Sequence, residues 1–395
     1  MDLLTTLLQT LDAPLARYAT LDSYYAGTQP LAFLSPEAKA ALGTRFGVMS
    51  SNLPRLAVTA LAERLRVTGF RTGGKPNAEL WADWKRNDLD QLAGVAHREA
   101  LLLGDAYVIV WGNDSGPQVS IESARQVAVL RDPGTRQIVA AVKRWETLTT
   151  TEAVLYECDK ITRLRAQQVG ATTAGFEKVG EPLANPFGIP PVVALSNADR
   201  LLVYTAADNP PLGASEVDDL IPLVDGLNKS LSDMLVSSEY AGRPRRWASG
   251  IELIEEDVLD DDGVPTGTKR LVNPFPEGTR MMTAEDPAAK FGALPAADLA
   301  SYESSVRVML GQIAAVSALP AHYLGVLGDQ PPSADSLRAA EASLTARARA
   351  AADPQAIGST THARSSPSSI ATATSRATAA DAPRDDPRPN RPRPL

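Results

Sequence analysis

The stretch SEVDDLIPLVDGLNKSLSDMLVSSEY, from Ser215 to Tyr240, carries most of what the sequence says about the fold. Its apolar residues recur at alternating intervals of three and four, the spacing of one buried face of a long amphipathic helix. Pro222 lies inside this stripe and predicts a kink or a later helix start, because proline removes a backbone donor. The stripe consists of Val217, Leu220, Val224, Leu227, Leu231 and Met234.

A second stripe of the same kind follows, with Asp298 as a candidate N-cap and Pro320 as the end of the helix. A third helix is indicated by Ser333–Ser336 and is predicted to run from Leu337 toward Arg349. The two striped helices therefore enclose an irregular, charged segment. The second stripe comprises Leu299, Tyr302, Val306, Met309, Ile313 and Val316.

The part of the chain before these helices mixes both kinds of secondary structure. The turn Asp132-Pro133-Gly134 separates two strand signals, and no regular alternation of strand and helix is visible. The sequence therefore predicts an α+β fold. The predicted helices are 51–66, 77–86 and 88–103, and the predicted strands are Asp105–Gly112, Val119–Ile121, Val127–Arg131, Ile138–Trp145 and Val154–Leu164.

Composition excludes several classes of protein. The 395-residue chain has a formal net charge of −8, which argues against a protein that grips nucleic acid through a broad basic face. A channel that lets DNA slide past needs no such face. The apolar runs are too short to cross a bilayer, the start lacks a signal peptide, and Cys158 has no second cysteine with which to pair. We expect a protein that stays inside the cell that makes it and has no membrane role.

The composition changes near Ala351. From there to Leu395 the chain is rich in Ala, Ser, Thr, Pro and Arg and has no aromatic residue. Such a segment buries too little apolar surface to offset its loss of conformational entropy. Residues 351–395 are therefore predicted to be a disordered, low-complexity tail.

Three motifs suggest chemistry but fail on spacing. In the Gly-rich stretch Gly69–Pro76, the proline stands where a phosphate-binding loop needs a hydroxyl. The run Asp260–Gly263 does not place carboxylates at calcium-ligand spacing. His97 and His322 lack partners at catalytic or zinc-binding spacing. We therefore expect no catalytic residue, no metal site and no cofactor.

The cluster of Arg243, Arg245 and Arg246 has two interpretations. It is either a solvated helix end, where cations complement the helix dipole, or a contact for acidic or phosphate groups. The sequence does not decide between them.

Several segments in a fixed order resemble the Gp6-like (SPP1-type) portal protein family of tailed bacteriophages. The resemblance extends from about Tyr24 to Arg347, and no single motif in it is catalytic. The segments that carry it are Asn52–Phe70, Ala100–Trp111, Asp219–Lys229 with Asp233–Leu235, Arg246–Gly250, Asp286–Gly292, Gln312–Val316 with Leu319–Gly325, and Pro332–Glu341.

The resemblance implies a portal fold: a mixed α/β wing, two long stem helices flanking a small clip, and a tunnel loop. Neighbouring subunits of such a ring would pack against the stem. The implied divisions are 1–214 for the wing, 215–244 for the first stem helix, 245–292 for the clip, 293–318 for the second stem helix, 319–334 for the tunnel loop and 335–350 for the start of a long wing helix. The implied inter-subunit residues are Leu220, Val224, Leu227, Leu231, Val306, Met309 and Ile313.

The same resemblance implies a mechanical function in the virion. A homo-oligomeric ring, expected to be a dodecamer, would sit at the capsid portal vertex after assembly in the host cytoplasm. Double-stranded DNA would pass through it without sequence specificity during packaging and ejection. The expected partners are the terminase large subunit, head-completion or adaptor proteins, and scaffolding or capsid proteins. The tunnel-loop residues would be Gly325, Gly328, Asp329 and Gln330, and the clip-docking residues would be Arg243, Arg245, Arg246, Asp260, Asp261 and Asp262.

The chain departs from the family pattern near Arg349, where the helical period stops. This suggests a shifted reading frame or a degenerate prophage gene. A non-portal phage structural protein, such as a head–tail adaptor, is the alternative. The length of the chain and the two paired helices favour a portal protein over this alternative.

Overall fold

The computed structural model describes residues 2–31, 50–113, 116–198, 213–242, 246–250, 254–259, 265–272, 288–293, 300–325 and 333–352. The chain forms two compact units. The first comprises Met1–Lys229 together with Val306–Leu395, and the second comprises Ser230–Ser305. Helices and sheets are mixed throughout the first unit, so the prediction of an α+β fold is confirmed.

Within the described residues, five helices lie before the two larger sheets of the first unit. Two N-terminal helices were not among the sequence predictions, although Leu7, Leu8 and Leu11 of the first form its fully buried face. The helix predicted over 51–66 is shorter than expected, with Pro54 in its first turn, where the missing donor is not needed. The helices are α1 (Leu3–Asp12), α2 (Leu15–Ala26), α3 (Leu53–Ala62), α4 (Ala78–Arg86) and α5 (Leu89–Leu103).

A small hairpin and two larger antiparallel sheets complete this part of the described chain. The hairpin pairs β1 with β2, one sheet has the order β11-β3-β4, and the other has the order β10-β8-β7-β6-β5, with β9 paired to β8. The strands are β1 (Arg71–Thr72), β2 (Lys75–Pro76), β3 (Asp105–Asn113), β4 (Gly116–Ser123), β5 (Val127–Arg131), β6 (Ile138–Glu146), β7 (Thr151–Glu157), β8 (Lys160–Ala166), β9 (Glu177–Lys178), β10 (Leu183–Ala184) and β11 (Val192–Ser196).

Two turns explain how these strands connect. The Asp132 carboxylate accepts hydrogen bonds from the Thr135 amide at 2.6 Å and the Thr135 hydroxyl at 2.8 Å, which lowers the pKa of Asp132 and closes the predicted turn. Gly73 and Gly74 have φ angles of +58° and +80°, so the Gly-rich stretch is a tight hairpin turn.

The main sheet also corrects one prediction. The segment Val154–Leu164 is not a single strand, because Glu157 and Lys160 lie on either side of a turn between β7 and β8. One face of this sheet packs against α1, with Val142 fully buried and Leu155 nearly so. This contact between helix and sheet forms an apolar core of the first unit.

The remaining elements include both striped helices. Helix α6 covers Ile221–Gly242 and α7 covers Ala300–Ser317. The helix predicted over 335–350 is two helices, α8 (Ala334–Ala340) and α9 (Ala342–Ala352), which are separated at Glu341. Of the helices that the structure describes, none is long and apolar enough to cross a membrane.

The described part of the second unit holds two short antiparallel pairs. Strand β12 (Arg246–Ser249) pairs with β15 (Lys290–Ala293), and β13 (Ile254–Leu259) pairs with β14 (Pro265–Val272). The acidic run Asp260–Asp262 falls between β13 and β14, outside the described residues.

Candidate functional site

The first half of the α6 stripe is fully enclosed by the chain itself. Pro222 stands in the first turn of α6, and a 3₁₀ turn over Asp218–Leu220 precedes it, so the prediction of a later helix start is confirmed. We call residues 217–228 the α6 root. Its stripe residues are at most 1% exposed: Val217, Leu220, Val224 and Leu227.

Polar side chains of the α6 root bind the N-terminal helices. Asp218 forms an ion pair with Arg17 of α2. The hydroxyl of Tyr24, also on α2, donates to Asp225 Oδ1 at 2.7 Å. Burial, followed by this hydrogen bond, raises the pKa of Tyr24. These contacts fix the start of α6 against α2.

Asn228 makes the deepest polar contact of the α6 root. Its side chain is 2% exposed, and its Oδ1 accepts from the Ser51 amide at 2.8 Å and the Ser51 hydroxyl at 2.9 Å. A buried amide oxygen needs such donors, because an unsatisfied polar group in the core is costly. The α6 root is therefore tied both to α2 and to the segment that enters α3.

Helix α7 has a stripe of the same spacing but a different environment. Ile313 is fully buried, and the Met309 sulfur packs 3.6 Å from where a Cβ on Gly226 would lie, so the helices approach closely there. In contrast, Val308 is 62% exposed and Val316 is 38% exposed. Helix α7 therefore has one face packed on its own chain, while Val308 and Val316 are exposed to solvent.

This burial revises the predicted inter-subunit residues. Leu220, Val224, Leu227 and Ile313 are at most 1% exposed within the single chain, so they have no surface left for a neighbouring subunit. The heptad spacing that suggested them is the same for a helix that packs inside its own subunit. The partly exposed residues Leu231, Val306 and Met309 remain candidates.

A cluster around Arg64 connects residues on either side of segment 326–332, which lies within the predicted tunnel loop. Arg64 lies just after α3, and its Nη2 donates to the hydroxyl of Tyr323 at 3.1 Å. The same nitrogen lies 3.5 Å from Glu341 Oε2. His322 packs edge-on against Tyr323, with ring centroids 4.8 Å apart. We call these four residues the loop base.

A second contact ties α9 to both striped helices. Arg347 Nη1 donates to the Val316 carbonyl at 2.9 Å, in the last turn of α7. Arg347 Nη2 lies 2.6 Å from Glu216 Oε2, just before the α6 root. Asn197 Nδ2 donates to the other oxygen of that carboxylate at 2.9 Å. Arg347 of α9 therefore links the end of α7 to the residue just before the α6 root.

Only some of the other predicted site residues fall in described positions. Gly325 ends a 3₁₀ turn (Ala321–Leu324) with a φ of +69°, a left-handed conformation that favours glycine. Arg246 begins β12, where it pairs with Ala293. The others lie outside the described residues: Gly328, Asp329, Gln330, Arg243, Arg245, Asp260, Asp261 and Asp262.

The described part of the second unit displays aromatic surface that was not among the predicted site residues. Trp247 is 46% exposed and Phe291 is 41% exposed. Trp247 lies over Gly292, where a Cβ would meet the indole ring at 2.6 Å, so only glycine fits in that cross-strand position. The signal available in the sequence was a tryptophan directly after the arginine cluster.

The described residues contain no group of three or more His, Cys, Asp or Glu side chains arranged to hold a metal ion. His97 lies on α5, where burial lowers its pKa and favours the neutral imidazole. The contacts described above are those of packing and anchoring.

Comparisons with known proteins identify similar sequences along most of the chain. Residues 5–353 match a family model described as "Phage portal protein, SPP1 Gp6-like". The chain is 30% identical over 302 residues to the portal protein of Mycobacterium phage L5, and equally to that of Mycobacterium phage D29. Each alignment covers 74% of this chain and 59% of the relative, so the chain spans about three fifths of their length.

Solved structures give weaker likenesses. The neck of an empty gene transfer agent (GTA) particle computed with C6 symmetry matches with a TM-score of 0.45 and 14% identity, covering 87% of this chain and 80% of the other. The neck of a native GTA particle computed with C12 symmetry matches with a TM-score of 0.40 and 14% identity, covering 86% and 85%.

Proposed function

We propose, from the premise that this chain belongs to the SPP1 Gp6-like family of phage portal proteins, that it is a structural subunit of a portal ring at the capsid vertex. The observation that carries the proposal is the family match over residues 5–353, which includes the wing-like part, both striped helices and α9. The ring is a homo-oligomer, and twelve copies is the number that the family resemblance favours.

The exposed face of α7 supports an interface between neighbouring subunits. Val308 and Val316 expose apolar surface on a helix whose opposite face is already packed inside the chain. A ring needs two different surfaces of each subunit to meet, and the exposed valines of α7 supply part of one of them. In this proposal Val306 and Met309 border the same interface, and Leu231 of α6 remains a separate candidate for contact with a neighbouring subunit.

DNA passes through the ring during packaging and ejection. The net charge of −8 suits a channel that must not hold the duplex tightly, since strong binding to phosphates needs Lys and Arg. The proposed tunnel loop, with Gly325, Gly328, Asp329 and Gln330, approaches the DNA and limits backward sliding. This contact involves no base reading, so the passage has no sequence specificity.

The second unit docks the other components of the vertex. Its arginine cluster (Arg243, Arg245 and Arg246) and its acidic hairpin (Asp260, Asp261 and Asp262) form the docking surface. The terminase large subunit binds there first and hydrolyses ATP, which this chain does not. Head-completion or adaptor proteins replace the terminase later, while scaffolding or capsid proteins contact the wing. Assembly takes place in the host cytoplasm, and the final location is the virion.

Imaging of the purified full chain by electron microscopy tests the proposed function. We expect rings with a central hole. Val308→Asp should abolish them by placing a charge in the apolar interface, whereas Val169→Asp, at a valine that is 49% exposed and outside the stripes, should leave them intact. Uniform monomers of the wild-type chain would contradict the proposed ring. Rings formed equally by both variants would contradict the interface.

A further inference from the structure

We propose that Arg64 is a positioning residue that fixes the described residues on both sides of segment 326–332, a role that rests on the proposed function of that segment as the tunnel loop. Arg64 is well placed for this because its side chain is only 19% exposed and is itself anchored. Its Nη1 donates to the Ala60 carbonyl at 2.8 Å, in the last turn of α3. The guanidinium is therefore fixed to the body of the first unit before it contacts any loop residue.

On the N-terminal side of the segment, the guanidinium contacts Tyr323 in two ways. Nη2 donates to the phenolic oxygen at 3.1 Å, and the guanidinium carbon lies 5.9 Å from the centre of the ring. Tyr323 belongs to the 3₁₀ turn that ends at Gly325, immediately before residue 326. Holding Tyr323 therefore holds the entry to the segment.

On the C-terminal side, the partner is Glu341, whose Oε2 lies 3.5 Å from Arg64 Nη2. Glu341 separates α8 from α9, and α8 begins directly after the segment, with the Ser333 hydroxyl accepting from the Ser336 amide at 3.2 Å. Glu341 Oε1 also lies 3.9 Å from His322 Nε2, so the two sides approach each other.

The chemistry of arginine suits this role. Its planar guanidinium carries five N–H donors in a fixed arrangement, so a single side chain can contact a carbonyl, a hydroxyl and a carboxylate together. A force applied to the loop by moving DNA then passes through Arg64 to α3 instead of along the backbone alone. Ala60 lies four residues before Arg64, but the other two partners lie in parts of the sequence that no local pattern connects to Arg64, since Arg64 and Tyr323 are 259 residues apart.

Backbone hydrogen exchange of the full chain, measured by mass spectrometry on peptides, tests the proposal without any need for rings or DNA. Arg64→Ala should raise exchange roughly tenfold in peptides that cover 319–325 and 334–341 together, because a charged hydrogen bond to Tyr323 holds the first and an ion pair with Glu341 holds the second. Peptides from the β6–β7 hairpin should not change. The matched control is Arg66→Ala, which removes an exposed arginine two residues away and should leave both peptides unchanged.

A second set of variants separates positioning from a general loss of structure. Tyr323→Phe removes only the hydroxyl and should raise exchange in 319–325 by a smaller factor. In an Arg64→Ala background the same change should have no further effect, since the bond that it removes is already gone. If Arg64→Ala does not fold, Tyr323→Phe and Glu341→Gln decide: each should raise exchange on its own side of the segment.

The outcomes distinguish this proposal from the proposed function. Unchanged exchange in Arg64→Ala, or an effect confined to one side, would overturn the role of Arg64 even if the protein forms rings. Independent effects of Arg64→Ala and Tyr323→Phe would overturn it as well. Raised exchange on both sides in an Arg64→Ala protein that never forms rings would support the positioning role of Arg64 and contradict only the proposed ring.

Discussion

The two striped helices have the same spacing in the sequence and different roles in the structure. In the α6 root, the stripe is enclosed by its own chain, with Leu227 only 1% exposed. In α7, the stripe residue Val316 is 38% exposed, and Val308, which lies outside the stripe, is 62% exposed. A heptad stripe therefore identifies a set of apolar residues but not which molecule covers them. The α6 root is an anchor inside the subunit, and the open face of α7 is where a second subunit is expected.

The largest effect should come from breaking the enclosed stripe. Leu227→Ala removes a fully packed side chain and should lower the free energy of unfolding by about 2–5 kcal/mol, because it leaves a cavity. Urea unfolding followed by circular dichroism measures this. Leu148, which is 99% exposed at the turn between β6 and β7, provides the control, and Leu148→Ala should have almost no effect. Equal effects of the two changes would contradict the assignment of Leu227 to the core.

A smaller loss is expected from the polar anchor of the same helix. Asn228→Ala removes the acceptor for the amide and hydroxyl of Ser51 and should cost about 1–3 kcal/mol of unfolding free energy. The matched variant Asn228→Asp keeps an acceptor oxygen in place, so it shows whether the bonds to Ser51 or the neutral amide matters. A stability equal to that of wild type in Asn228→Ala would contradict the anchor.

Tyr24→Phe should have a modest effect that depends on pH. The change removes the hydrogen bond to Asp225 and should cost about 1 kcal/mol at neutral pH. Because the folded pKa of Tyr24 is raised above the unfolded value of 10.0, its contribution is complete below pH 10 and is lost as the pH rises through the folded pKa. The free energy of unfolding, measured between pH 7 and about pH 11, should therefore decrease less steeply for Tyr24→Phe than for wild type. Parallel curves would contradict the role of this hydroxyl.

The smallest effect should come from the open face of α7. Val308→Ala removes apolar atoms that face solvent in the single chain, so the unfolding free energy of the monomer should stay within about 0.5 kcal/mol of wild type. Urea unfolding at concentrations where the protein is monomeric measures this. A loss comparable to that of Leu227→Ala would show that another part of the same chain covers Val308.

Local patterns predicted much of the fold. The late start of α6 followed from Pro222, and the turn at Asp132 followed from its Asp-Pro-Gly sequence, because these signals act over a few residues. Helix α1 was missed, although Leu7, Leu8 and Leu11 have a helical spacing that could have identified it. The break at Glu341 gives no local signal, because Ala, Leu and Arg on either side all favour a helix.

The contacts that hold the candidate site together could not be predicted in this way. Ser51 and Asn228 are 177 residues apart, and Arg64 and Tyr323 are 259 apart. Single arginines and asparagines carry no periodic signal, so their partners emerge only when the chain is folded. Leu220, Val224 and Leu227 were assigned to an interface between subunits for a related reason. Their spacing identifies the buried face of the helix but not the partner that covers it.

Labelling of single cysteines tests directly whether a neighbouring subunit covers Val308 of α7. Cys158 is the only cysteine of the chain and is exposed, so Cys158→Ser provides a background in which Val308→Cys or Leu148→Cys is the only thiol. Maleimide should modify both positions rapidly in the monomer fraction. In the assembled fraction we predict that Val308→Cys reacts at least about tenfold more slowly, because a neighbouring subunit covers it, while Leu148→Cys reacts as before. Equal reactivity of the two thiols in assembled protein would contradict an interface between subunits at Val308.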